Sequence, residues 1–228
     1  MSQFVVAPSL TDQVYNAIVD DICSGVFPPG TRLRQEALAE KYNVSRQPVQ
    51  QSLLLLHSQG FVKETGRRGL EVASMSAEEV DNLYRTRAAL DGFAAREATQ
   101  RARPDELLVG QELLKEGKDA LERQSLSGFI ASDIAFHQFI AGLSRNRTLD
   151  EVSSVVFRSV RRVMGEIILL SGFDVSWQEH VAILEAIGDR DADRAETLAR
   201  QHADRGRRLV IENANRARPV EGAPDSQG

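Results

Sequence analysis

The chain has 228 residues, 42% of them hydrophobic and 27% charged, which suits a water-soluble globular protein of one large or two modest domains. No aliphatic block is longer than the four leucines of 53–56, the opening MSQFVVAPSLTDQ has neither the basic nor the long apolar region of a secretory leader, and Cys23 is the single cysteine, so membrane spans, export and an intrachain disulfide are set aside and a cytoplasmic protein with no membrane partner is expected. The net charge of -5 argues against a purely electrostatic nucleic-acid binder; a DNA reader of this balance must gather its basic residues on one face of one domain.

Residues 10–24 read as a helix. Leu10, Val14, Ile18 and Ile22 form one stripe, joined by Tyr15 and Val19, with Ser9 or Thr11 able to cap it. Gly25 ends it, and Pro28-Pro29-Gly30 forces a turn. Residues 33–60, LRQEALAEKYNVSRQPVQQSLLLLHSQG, then read as two short helices joined by a tight turn. Leu38 and Tyr42 share a face of the first, and Asn43 suits the left-handed turn. Ser45 is placed to cap the second, and Pro48 falls in its first turn, where a missing N–H costs little. Val49, Leu53 and Leu56 recur at helical spacing and face a core, while Arg46, Gln47, Gln50 and Gln51 cluster on other faces near the N-terminal end. Such a layout serves a DNA-reading helix, with Arg and Gln offered to base edges; it also describes any amphipathic helix with a solvated face.

The flanking residues favour the first reading. Residues 61–72 look like a small hairpin whose tip, Thr65-Gly66-Arg67-Arg68-Gly69, is basic. Three helices and a basic hairpin make a winged helix-turn-helix, in which Arg67 and Arg68 lie over phosphates or reach into the minor groove. Arg32, Arg34, Arg46, Arg67 and Arg68 all fall on segments that would face DNA, whereas Asp12, Asp20 and Asp21 fall on the first helix. Residues 24–62 resemble the DNA-binding domain of GntR-superfamily transcription regulators through Gly30-Thr31-Arg32-Leu33, Leu38-Ala39 and Val44-Ser45-Arg46-x-Pro48-Val49. The resemblance implies that Arg46 contacts bases and that Arg34 lies near DNA. The family usually has Arg where this chain has Gln50 and often Glu at Gln51, so the operator is expected to depart from the common half-site; Gln can still pair bidentately with adenine.

Beyond a linker at 73–77 only helices are read: 77–101, 104 to about 123, 127–143, 148–170, 174–188 and 192 to about 214. About six amphipathic helices with short connections make an antiparallel all-α bundle, giving a mainly α chain. The expected organisation is a winged helix-turn-helix over residues 1–75, the bundle over 76–214, and a polar, disordered tail over 215–228.

The chain has four histidines. His57 ends the reading helix and should be exposed. Asp133 and His137 are four apart, on a face with Phe136 and Ile140; His180 shares its stripe with Ile183, Leu184 and Ile187; His202 shares its stripe with Leu198, Ala199, Gly206 and Leu209. A lone inward histidine is usually a satisfied core residue. Three of them with a carboxylate each need a buried partner, and one divalent ion would satisfy all four. Three imidazoles and a carboxylate suit zinc, nickel or manganese, with positions left open for a ligand oxygen.

Residues 77–212 resemble the FCD effector domain of the FadR subfamily of GntR regulators, through Asp133-x-x-x-His137, His180 in EHVAILEAIGDRD, His202, Arg87-x-x-Leu90-Asp91 and Asn146. This resemblance implies that metal and a buried arginine together hold a small carboxylate effector. Arg87 is the candidate for that clamp, with Arg85 second and Asn146 nearby; a structural ion pair of Arg87 with Asp91 or Glu97 is the competing reading. A metal-dependent enzyme acting on a small organic acid is the alternative, but no His-Glu-x-x-His, carboxylate pair, phosphate loop or serine-nucleophile motif supplies its chemistry. The expectation is therefore a homodimeric, non-enzymatic repressor of a double-stranded DNA operator, tuned by a small organic acid.

Overall fold

The computed structural model describes residues 8–66, 69–171 and 173–217. Arg67, Arg68 and the expected tail beyond residue 217 lie outside them.

Helix α1 (Leu10–Cys23) is capped by Ser9 rather than Thr11: the Ser9 hydroxyl accepts from Asp12 N–H, and the Asp12 carboxylate accepts from Ser9 N–H. Thr11 donates instead to Gln51 Oε1 at 2.7 Å, which turns Gln51 toward α1. Val14, Ile18 and Val19 are buried as their spacing requires, but Leu10, in the first turn, is 50% exposed. Next come β1 (Arg32–Leu33), α2 (Gln35–Lys41), α3 (Arg46–Ser58), β2 (Val62–Thr65) and β3 (Gly69–Val72). The three strands pair antiparallel in the order β1-β3-β2, with Arg32 opposite Glu71 and Val62 opposite Val72. The hairpin was legible in the sequence; β1 is a third strand that was not. Asn43 turns α2 into α3 with φ +53°, and Val49, Leu53 and Leu56 are buried beneath α3.

Six helices follow: α4 (Ala77–Arg101), α5 (Pro104–Glu122), α6 (Leu126–Leu143), α7 (Arg147–Ser171), α8 (Phe173–Gly188) and α9 (Ala192–Ala217). The last runs three residues past its expected end, into what was read as tail. Alanines at 94, 95, 98, 195 and 199 are buried together, which lets α4 and α9 lie close along their length. Helix α6 is long and apolar enough to match a membrane span by composition, but 61% of it is buried inside the bundle. It is a core helix of the bundle.

Head and bundle share one continuous core, running from Val14, Val49 and Phe61 through Tyr84, Phe129 and Ile130 to Phe157 and Val210. Helix α1 packs on α3 and also on α6 and α7. Asp20 Oδ1 accepts from Ser127 N–H at 2.5 Å, satisfying a donor that the first turn of α6 leaves open. On the same seam Arg161 of α7 donates to Tyr15 Oη at 3.2 Å and to Gln59 Oε1 at 2.8 Å.

Candidate metal and effector centre and the DNA-reading face

Four helices converge at the middle of the bundle. Helix α4 supplies Arg87 and Asp91, α6 Asp133 and His137, α8 His180, and α9 His202, and all six are buried. One ligand atom from each of Asp133, His137, His180 and His202 can be chosen so that all lie within 4.8 Å of one another. His180 Nε2 is 3.1 Å from His137 Nε2, 3.2 Å from His202 Nε2 and 3.4 Å from Asp133 Oδ1.

Hydrogen-bond partners assign the tautomers. Arg87 Nη2 can only donate, and it lies 2.7 Å from His137 Nε2 and 3.3 Å from His202 Nε2, so both nitrogens present lone pairs. His202 Nδ1 then donates to Glu179 Oε2 at 2.8 Å, and Arg205 holds the same carboxylate. His137 Nδ1 faces Asp91 Oδ2 at 3.4 Å. Burial, reinforced by Arg87 and the neighbouring imidazoles, pushes His137 and His180 well below the usual histidine range. His202 falls to about 4, burial outweighing Glu179. These are neutral rings whose Nε2 atoms meet at one centre.

The carboxylates show the complementary strain. Burial raises Asp133 to about 6, partly offset by Arg87, and raises Asp91 to about 6 despite the 3.0 Å contact of Arg87 Nε with its Oδ2. Asp133 Oδ2 and His180 Nδ1 have no hydrogen-bond partner among the described residues. A cation is the group that neutral imidazole lone pairs and an orphaned buried carboxylate oxygen both accept, so this donor set fits a divalent metal. Arg87 occupies the lone pairs of His137 and His202 that such an ion would take. Aromatic rings enclose the centre: Phe157 stacks on His137 at 5.2 Å between centroids, Phe136 lies 4.7 Å from His180, and Trp177 meets His180 edge-on at 5.0 Å.

Two residues read as effector contacts are not brought here. The Arg85 side chain is 71% exposed and faces Asp81, because it lies two positions from Arg87 on α4 and so on another side. Asn146 is spent on helix geometry: its Oδ1 accepts from Leu149 N–H at 3.1 Å at the start of α7. Arg87 does pair with Asp91, as the competing reading held, yet it also touches two histidines. Sequence reasoning missed Glu179, since its contact with His202 joins two helices and leaves no spacing signal.

At the other end of the chain, Arg34, Ser45, Arg46, Gln47 and Gln50 are all exposed on one stretch of α2 and α3. Arg46 has a side chain 70% exposed and an open ion pair with Glu36 at 3.1 Å, a contact weak enough to exchange for DNA. Ser45 takes the N-cap position of α3, but its hydroxyl makes no capping bond. Pro48, which stands third in the helix, has no N–H to offer it. The hydroxyl is thereby left for an outside partner. His57 is exposed, as expected.

A winged helix-turn-helix docked on an all-helical bundle defines a DNA-binding transcription regulator. The model of the gntR family of bacterial regulatory proteins matches residues 10–72, and that of the FCD domain matches residues 82–205, more than half of the chain. The chain therefore belongs to the GntR-family transcription regulators that carry an FCD domain, and it is not an enzyme. It is 30% identical over 138 residues to the uncharacterised regulator YdhC of Bacillus subtilis (strain 168), covering 60% of this chain and 62% of that protein. It is 27% identical over 197 residues to the transcriptional repressor RspR of Escherichia coli (strain K12), covering 85% of each. The solved structure of E. coli McbR/YncC shares the fold, with a TM-score of 0.67 at 21% identity over 92% of this chain and all of that one.

Proposed function

We propose that this chain is a cytoplasmic, homodimeric repressor whose operator affinity is set by a small carboxylate metabolite bound at a divalent metal in the bundle. Repressor action is supported by the name of the relative RspR. The reading rests above all on the meeting of three neutral imidazoles, Asp133 and Arg87 in one buried centre. Asp133, His137, His180 and His202 would hold zinc, nickel or manganese, which supplies a Lewis-acidic point for a carboxylate or hydroxyl oxygen. Arg87 supplies a buried positive charge, braced by Asp91, beside the same point. The surrounding aromatic rings exclude water and strengthen that pairing.

On DNA, Arg46, Gln47 and Gln50 would read base edges in the major groove, with Arg34 and Ser45 on phosphates and Arg67 and Arg68 on the wing. Two heads would take half-sites about one helical turn apart. The effector acts by preferring one arrangement of the heads over another. Elemental analysis of purified His180→Ala tests the centre. The variant should lose its metal and its response in a thermal-shift screen of small organic acids, while the ligand-free protein keeps its DNA binding. Full metal content in His180→Ala would overturn the assignment.

A further inference from the structure

The seam between head and bundle holds a cleft of about 230 Å3, larger than the roughly 150 Å3 that admits benzene to a protein core. Ile134 of α6 and Phe157 of α7 give it an apolar floor, and Gln59, Gln138, Arg158 and Arg161 give it polar walls. No carboxylate among the described residues lines it. Arg158 is exposed, with no acid in ion-pair reach among the described residues. Arg161 Nε is shut off from water and lacks a hydrogen-bond partner among the described residues, although its Nη1 reaches Gln59 and Tyr15. Two guanidiniums without a carboxylate, over a ring-sized apolar floor, define a site with a missing partner.

We propose that this cleft binds a small organic monocarboxylate with a flat apolar body. The carboxylate lies between Arg158 and Arg161, where guanidinium geometry favours bidentate pairing, and the body lies on Phe157 and Ile134. The cleft uses neither the four candidate metal ligands nor Arg87; Phe157, which stacks on His137, is common to both sites, and Arg158, which belongs to the cleft alone, separates the two readings. Arg161 is also the group that ties α7 to Gln59 at the end of α3, which puts an anion here in contact with the joint of the head.

The test is a titration of the full-length protein with benzoate, and with benzyl alcohol as the uncharged control, followed through labelled isoleucine methyl groups in NMR spectra. Benzoate should shift the Ile134 methyl saturably and benzyl alcohol should not. Arg158→Gln and Arg161→Gln should each weaken that binding by about tenfold or more. Arg158 is exposed, so its variant serves even if Arg161→Gln fails to fold. An unmoved Ile134 methyl, an equal response to benzyl alcohol, or an Ile134 shift that persists in Arg158→Gln overturns the proposal. So does a benzoate response confined to Ile183 and Ile187, which lie on the stripe of His180.

Discussion

Single side chains decide both ends of this protein. Arg46 is held only by an exposed pair with Glu36, so its guanidinium is free to turn to a base at little cost. Arg46→Ala should weaken operator binding by about 1–3 kcal/mol, roughly 5- to 150-fold, with the melting temperature unchanged. A gel-shift titration checks this, and unaltered affinity would remove Arg46 from the reader. At the other end, Glu179 fixes the tautomer of His202, and the bonds from His202 and Arg205 hold the half-buried Glu179 below the usual carboxylate range. Glu179→Gln keeps the shape and removes the charge, and metal affinity measured by calorimetry should fall about 10–100-fold. No change would mean that His202 is oriented by packing alone.

Elements were legible where apolar residues repeat over several turns. All six bundle helices emerge from that spacing; Ala77–Arg101 matches at both ends and the other five shift by one to three residues at one end or both, because stripes mark the middle of a helix better than its caps. The two-residue β1 has too few positions to show any period. The inward aim of the three bundle histidines could be read from helical phase, but Glu179, Arg205 and Trp177 could not, since each acts across a helix boundary. Trp177 shows the point. Its Nε1 donates to Leu114 O at 2.8 Å, and its ring lies so close to Gly117 that an added Cβ would sit 2.1 Å from it. Gly117→Ala must displace the indole that packs on His180, costing about 1–3 kcal/mol and several degrees of melting temperature. Trp177 is the sole tryptophan, so its fluorescence reports the displacement directly. An unchanged emission spectrum and melting temperature would contradict this packing.

At the scale of the whole molecule, head and bundle are joined by a core that does not break at the linker. One calorimetric unfolding transition is therefore expected for the full chain, and two separated peaks would show the halves melting alone. Asp20→Ala, which strips α6 of the acceptor for its Ser127 N–H, should move that single peak down by about 2–4 °C, the effect of losing roughly one helix-end hydrogen bond. Helix α6 begins on Asp20 of α1 and carries Asp133 and His137 farther along, so one rigid element touches both the head and the histidine centre. The seam also limits how the halves can be exchanged. A chimera that grafts a foreign reader onto this bundle must carry counterparts of Tyr15, Asp20 and Gln59, or it will expose apolar surface and strand Arg161 where the two halves meet.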